Sequence, residues 1–301
     1  MSNDSIHFHL GQFGEFLAVL FRAMRPAQWL KNGLVFAGLV FGGKLTDRDA
    51  ISSASLAAVW FSILSSGFYL INDVRDMHVD RLHPEKRFRP VADGRISPEI
   101  AGVFGCLFIF LALAGAAVTN TSFLLVALAY ALLIAAYNIG LKEIVIVDVF
   151  AIAIGFVLRA VGGAVAVSVS ISPWLLICTL LLALLVGFGK RRHELMALEN
   201  AGQHRQNLDT YSLAMLDQSI AVTAAGSLIA YSVYTFDSES APSDRRMMLT
   251  IPLVAYGIFR YLYLLYHRGQ GGAPETMLLA DRALMLSAVI WGAVSAVLFY
   301  F

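Results

Sequence analysis

A chain of 301 residues that is 58% hydrophobic and only 14% charged, with mean hydropathy +0.70, is too apolar for a water-soluble globule. Such globules are about 45–50% apolar. The bilayer is therefore the expected solvent, no large soluble domain fits, and a net charge of +1 gives no broad attraction to nucleic acid.

Apolar runs near the roughly 20 residues that cross about 30 Å of hydrocarbon recur along the chain. In order they are 29–44, a short run extending back past Pro26, then 51–71, 98–118, 122–138, 144–167, 173–188, 216–236, 247–266 and 282–301. No period-two alternation is present, and open strands cannot leave amides unpaired in lipid. The expectation is an all-α integral membrane protein of about nine transmembrane helices, one domain over 1–301. It has a polar N-terminal arm, 1–25, and two long polar loops, 72–97 and 190–213. The first 28 residues carry no apolar core with a small-residue cleavage site, so no removable signal peptide is expected.

Most of the 22 Lys and Arg fall in the N-terminal arm and in the loops after even-numbered spans, whereas the opposite loops hold Lys44, Arg48, Arg245 and Arg246. The positive-inside rule then places the N-terminus and both long loops in the cytoplasm and Phe301 outside, so the chemistry is expected on the cytoplasmic side. Cys106 and Cys178 sit within spans and read as packing residues. The seven histidines show no zinc-like spacing. Gly42-Gly43 and Gly162-Gly163 read as places of close helix contact.

At the end of the second span stands NDVRDMHVD, residues 72–80. If the helix continues through it, spacings of three and four put Asp73, Asp76 and Asp80 on one face with Asn72 beside them. Like charges so spaced repel, so a cation belongs there. Hard oxygen donors without sulfur or imidazole suit Mg²⁺ held jointly with substrate phosphate oxygens. The other reading is a solvated acidic helix end paired with Arg75 and Arg81. Next comes RLHPEKRFRP, 81–90, whose Lys86, Arg87 and Arg89 can grip phosphate or anchor at headgroups.

The nine spans, NDxxDxxxD and the following RP-x-A-x-G resemble the UbiA superfamily of intramembrane prenyltransferases over essentially the full chain. That resemblance implies a helical bundle in which the aspartates bind Mg²⁺ and a prenyl diphosphate, and a second aspartate-rich motif after the sixth span. Here that position reads GKRRHEL, 189–195, basic instead of acidic. Together with HPxKRxRP, YNIGLK at 137–142 and the segment from Pro274-Glu275 to Asp281-Arg282, this resembles the decaprenyl-phosphate phosphoribosyltransferase branch. The branch implies transfer of 5-phosphoribose from 5-phosphoribosyl 1-diphosphate to a polyprenyl phosphate in the bacterial inner membrane, giving a lipid-linked pentose for envelope arabinan. The alternative is ordinary prenyl transfer to an aromatic or lipid acceptor; a transporter or scaffold is the reading outside enzymes.

On this resemblance Asn72, Asp73, Asp76 and Asp80 hold Mg²⁺, and Asp73, Asp76 and Lys190 carry the catalytic work. Lys31, Asn32, Lys86, Arg87, Arg89, Tyr137, Lys142, Arg159, Arg191 and Glu194 bind substrate. Tyr137 reads equally as an interfacial belt residue and Lys31 as a snorkelling anchor. Arg159 and Asp148, about 16 Å apart along one helix, cannot pair. Arg159 is left with either a phosphate or a carboxylate of a neighbouring helix. A homo-oligomer is compatible with the sequence.

Overall fold

The structure, a computed structural model, describes residues 14–197, 206–237, 244–269, 271 and 274–300. Residues 1–13 of the expected arm and 198–205 of the second loop lie outside the described residues, as do the side chains of Pro274 and Glu275.

The order is α1 (14–23), a 3-10 segment Pro26–Phe36, α2 (Ala37–Phe41), α3 (Arg48–Leu82), α4 (Pro98–Thr119) and α5 (Thr121–Ile139). Then follow α6 (Val147–Ala166), α7 (Pro173–Ala197), α8 (Leu213–Asp237), α9 (Ile251–His267), α10 (Pro274–Ala280) and α11 (Arg282–Tyr300). Local chemistry sets the starts. Asp47 accepts the Asp49 and Ala50 amides to cap α3, Ser97 accepts the Ile100 amide ahead of Pro98, and Asn120 accepts those of Ser122 and Phe123.

Eight helices among the described residues are long and apolar enough to span a membrane, not nine. The expected first span is the 3-10 segment followed by the five-residue α2. A 3-10 helix rises about 2.0 Å per residue and an α-helix about 1.5 Å. The stretch from Pro26 to Phe41 therefore reaches about 30 Å with few residues, enough to cross hydrocarbon. Runs of 3-10 this long are uncommon, and outside contacts hold this one. Trp29 donates to Ser66 (3.0 Å), and Asn32 donates to Ser62 (2.9 Å) on α3. Against α6 the fit is backbone to backbone: a Cβ at Gly163 would fall onto the Val35 carbonyl, and one at Gly38 onto Ala164.

The expected loop from Asn72 is likewise corrected. Helix α3 runs on to Leu82, so the loop begins at His83, and α7 carries the KRRHEL stretch as helix to Ala197. The arm is not simply polar: Leu20 and Ala23 of α1 are buried with Leu70, Val91, Ile96 and Ala101. That packing lays α1 across the 83–97 loop and sets Arg22 and Arg25 over the end of α3. One apolar core joins α3, α4, α5 and α6, a second joins α6, α7, α8 and α9, and α6 contributes to both.

Candidate phosphate-binding site

The site is built on the ends of α3 and α7, which project past their apolar stretches. On α3, Asp73 has a side chain only 2% exposed. Its Oδ1 pairs with Arg25 and, at 3.2 Å, with Arg89, while Arg89 reaches Asp80 Oδ2 at 2.5 Å. The second Asp73 oxygen, Oδ2, is buried without a hydrogen-bond donor. Asp76 faces aside and takes Lys142 Nζ on both oxygens, at 2.8 and 3.0 Å. Asn72 is half-buried.

Among the described residues no three metal-capable side chains are gathered as one group. The physical reason is that each aspartate is already neutralised. Carboxylates spaced three and four apart repel one another, Asp80 in the last turn also opposes the helix dipole, and Arg25, Arg89 and Lys142 pair with them. The chemistry of the set still fits Mg²⁺, because all its donors are hard oxygens and Asp73 Oδ2 is unclaimed.

The loop is organised around this face. His83 Nδ1 accepts the amides of Glu85 (3.2 Å) and Lys86 (3.3 Å), fixing the turn that presents Lys86. Arg81 donates to the Ala92 carbonyl (3.0 Å), pulling the far side of the loop onto α3. Lys86 is held below the ordinary lysine range, first by burial and then by Arg89 and Lys190, against the opposing pull of Asp80 and Glu194. Lys86 therefore sits in the fields of both helix ends at once. Arg87 does not join them; it is exposed and lies over the Phe88 ring. A cavity of about 220 Å³ opens beside Asp73, lined among others by Arg22, Arg25, Glu85, Phe88 and Arg89.

On α7, Lys190 is half-buried within reach of Lys86. Arg191 behaves differently from its neighbour. It is 2% exposed and pairs with the fully buried Asp148 of α6 at 2.9 Å and with Glu194. Two carboxylates thus hold Arg191, expected to bind phosphate, and its pairing with Asp148 ties α7 to α6. Asp148 also accepts from the Tyr211 hydroxyl (2.7 Å), which in turn accepts the Ile146 amide (2.7 Å). Burial and the adjacent carboxylate push the Tyr211 phenol upward. Tyr137 lies in the field of Arg191.

Arg159 meets neither a carboxylate nor the site. It donates to Asn32 Oδ1 (2.8 Å), the Tyr130 hydroxyl (2.6 Å) and the Gly155 carbonyl (3.0 Å), all neutral. Asn32 and Arg159 thus fasten the 3-10 segment. Lys31 donates to Gln28 one turn back. Sequence reasoning passed over Arg25 and Asp148 as members of the site. Arg25 had a signal, standing directly before Pro26 at the head of an apolar run; Asp148 had one too, as a carboxylate within a span.

Such an arrangement is that of a multi-pass helical membrane protein with clustered acidic and basic side chains gathered at one polar end. The UbiA prenyltransferase family model matches residues 33–191, and the chain belongs to that family. The decaprenyl-phosphate phosphoribosyltransferase of Mycobacterium tuberculosis is 33% identical over 280 residues, 91% of this chain and 92% of its own length. The protein of the same name from Corynebacterium glutamicum is 32% identical over 90% of this chain and 84% of its own. Among solved structures, a UbiA homolog from Archaeoglobus fulgidus bound to GPP and Mg²⁺ has TM-score 0.74 at 20% identity, over 94% of this chain and all of that one. The shared fold is thereby established.

Proposed function

We propose that this protein transfers 5-phosphoribose from 5-phosphoribosyl 1-diphosphate to a polyprenyl phosphate of the decaprenyl type, releasing diphosphate. The observation that carries the reading is the loop leaving α3, whose Arg89 pairs with both Asp73 and Asp80 and whose Lys86 lies in the fields of Lys190 and Glu194 of α7. A site acidic on one flank and basic on the other accommodates a metal-bound diphosphate and a separate phosphate on one sugar. The names of the Mycobacterium and Corynebacterium relatives support it.

In this reading Asp73, Asp76 and Asp80, with Asn72 alongside, hold Mg²⁺. Bound there, the ion supplies positive charge that stabilises diphosphate as a leaving group. The chain's own residues do the rest. The acceptor phosphate has a second pKa of about 6, so its attacking oxygen is already ionised near neutral pH and needs no base. The bond from C1 of ribose to the diphosphate oxygen breaks as a bond forms to that phosphate oxygen. Lys86, Arg89 and Lys190 hold and neutralise the phosphates, and Lys142 fixes Asp76. Rate comes from positioning and electrostatic stabilisation. The sorting of Lys and Arg supports a site on the cytoplasmic face of the membrane.

The test combines purified protein, Mg²⁺, radiolabelled 5-phosphoribosyl 1-diphosphate and decaprenyl phosphate, followed by lipid extraction. Label in the lipid fraction is the expected result. An unlabelled lipid fraction, with turnover of a prenyl diphosphate onto an aromatic acceptor instead, overturns the reading.

A further inference from the structure

We propose that Arg25 is a built-in counter-ion, neutralising Asp73 while no metal is bound and passing to the diphosphate once the carboxylate is taken. Three independent features converge on it. First, Asp73 is buried and its Oδ1 is shared by Arg25 and Arg89, while Oδ2, also buried, has no hydrogen-bond donor. One oxygen is thus held by two partly exposed cations and the other, though buried, is left without a hydrogen-bond partner. Second, Arg25 adopts φ 55° and ψ 63°, a left-handed conformation that is unfavourable for a residue with a Cβ. The chain accepts that cost at the residue whose guanidinium reaches the aspartate, and strain of this kind gathers at ligand clamps. Third, Arg25 is movable where Asp73 is not. Its side chain is 25% exposed, lies over the Tyr69 ring and borders the 220 Å³ cavity together with Arg22, Glu85 and Arg89.

The consequence is coupling. A divalent cation alone must compete with Arg25 for Asp73 and leave the arginine without its partner. A diphosphate alone meets arginines already engaged. Together they exchange partners, with carboxylate to metal and arginine to diphosphate, so each strengthens the other's binding. This inference rests on the proposed function only for there being a diphosphate ligand, and inorganic diphosphate serves as well as the sugar donor.

The experiment measures Mn²⁺ binding to the full-length protein in detergent by electron paramagnetic resonance, with and without inorganic diphosphate. Wild-type protein is expected to bind Mn²⁺ at least tenfold tighter with diphosphate present than without. Arg25→Gly suits the left-handed backbone better than arginine does. It is expected to raise affinity for Mn²⁺ alone at least threefold, weaken diphosphate binding, and shrink the coupling. Arg25→Lys, which retains the charge, restores part of the coupling and covers the case in which the glycine variant fails to fold. Unchanged Mn²⁺ affinity and unchanged coupling in both variants overturn the inference while leaving the proposed function intact. Failure of the wild-type protein to bind 5-phosphoribosyl 1-diphosphate, with coupling to inorganic diphosphate preserved, strikes the proposed substrate instead.

Discussion

The ends of α3 and α7 are opposites in charge and in how that charge is settled. Helix α3 carries carboxylates toward its C-terminus, where they repel one another and Asp80, in the last turn, also opposes the helix dipole. Its partners come from elsewhere: Arg25 before the 3-10 segment, Arg89 in the loop, Lys142 after α5. All three are 20–25% exposed at the side chain and can let go. Helix α7 carries its cations at 190–192, ahead of its last turn, and there Arg191 is sealed against Asp148 at 2% and 0% exposure. The acidic end is built to exchange partners and the buried half of the basic end is built to stay. Charge sign alone does not distinguish a ligand site from a structural lock; burial of both partners does.

The comparison breaks first at the lock. Asp148→Ala leaves the Arg191 guanidinium buried with only Glu194, and removal of one partner of a buried pair costs about 3–5 kcal/mol. The expected outcome is a large fall in the unfolding midpoint in detergent, with partial recovery when Arg191→Met is added. A midpoint within 2 °C of wild type would falsify the assignment of this pair as a lock. At the exchangeable end the effects invert. Asp73→Ala should lower Mg²⁺-dependent turnover by at least about 100-fold, as loss of one transition-state electrostatic contact does. It should move the midpoint far less than Asp148→Ala, because Arg25 and Arg89 can rehydrate. Equal destabilisation by the two alanine variants would erase the distinction.

Much of this was legible in the residues, and the failures share a cause. The spans, the aspartate face of α3 and the reversal of charge at 189–195 follow from hydropathy and i, i+3, i+4 spacing, which are local. The 3-10 form of 26–36 is not local. It depends on Ser62, Ser66 and Gly163, residues 30 to 130 positions away, which supply hydrogen bonds and a surface without side chains. For the same reason Arg191 and Lys190 read alike in sequence, though one faces Asp148 and the other the site. Helical register about α7 decides that, together with a carboxylate 43 positions earlier. Arg159 was expected to need an anion, but Asn32, Tyr130 and a carbonyl satisfy its donors.

Between lock and exchange stands Lys142, bonded to both oxygens of Asp76. A charge-assisted hydrogen bond contributes about 1.5–3 kcal/mol, here reduced by exposure. Lys142→Met should free Asp76 to swing and lower kcat/KM for the sugar donor by about tenfold, with the unfolding midpoint little changed. A tenfold loss accompanied by a large midpoint drop would move Lys142 to the structural side of the comparison.

The smallest effect is a proton. Burial, Arg89 and Lys190 hold the Lys86 amine below 10.5, so part of the population is neutral as the pH rises toward that value. Bringing a diphosphate beside it adds negative charge, favours the ammonium form and lifts the pKa back. Binding should therefore take up protons in the window between the depressed pKa and 10.5, and none well below it, where Lys86 is charged in both states. Calorimetric titration of diphosphate in two buffers of different ionisation enthalpy reads this uptake directly. Lys86→Met should abolish it, whereas Arg87→Met, at an exposed side chain turned onto Phe88, should leave it unchanged. Uptake that survives Lys86→Met would place the titrating group elsewhere and remove Lys86 from between the two helix ends.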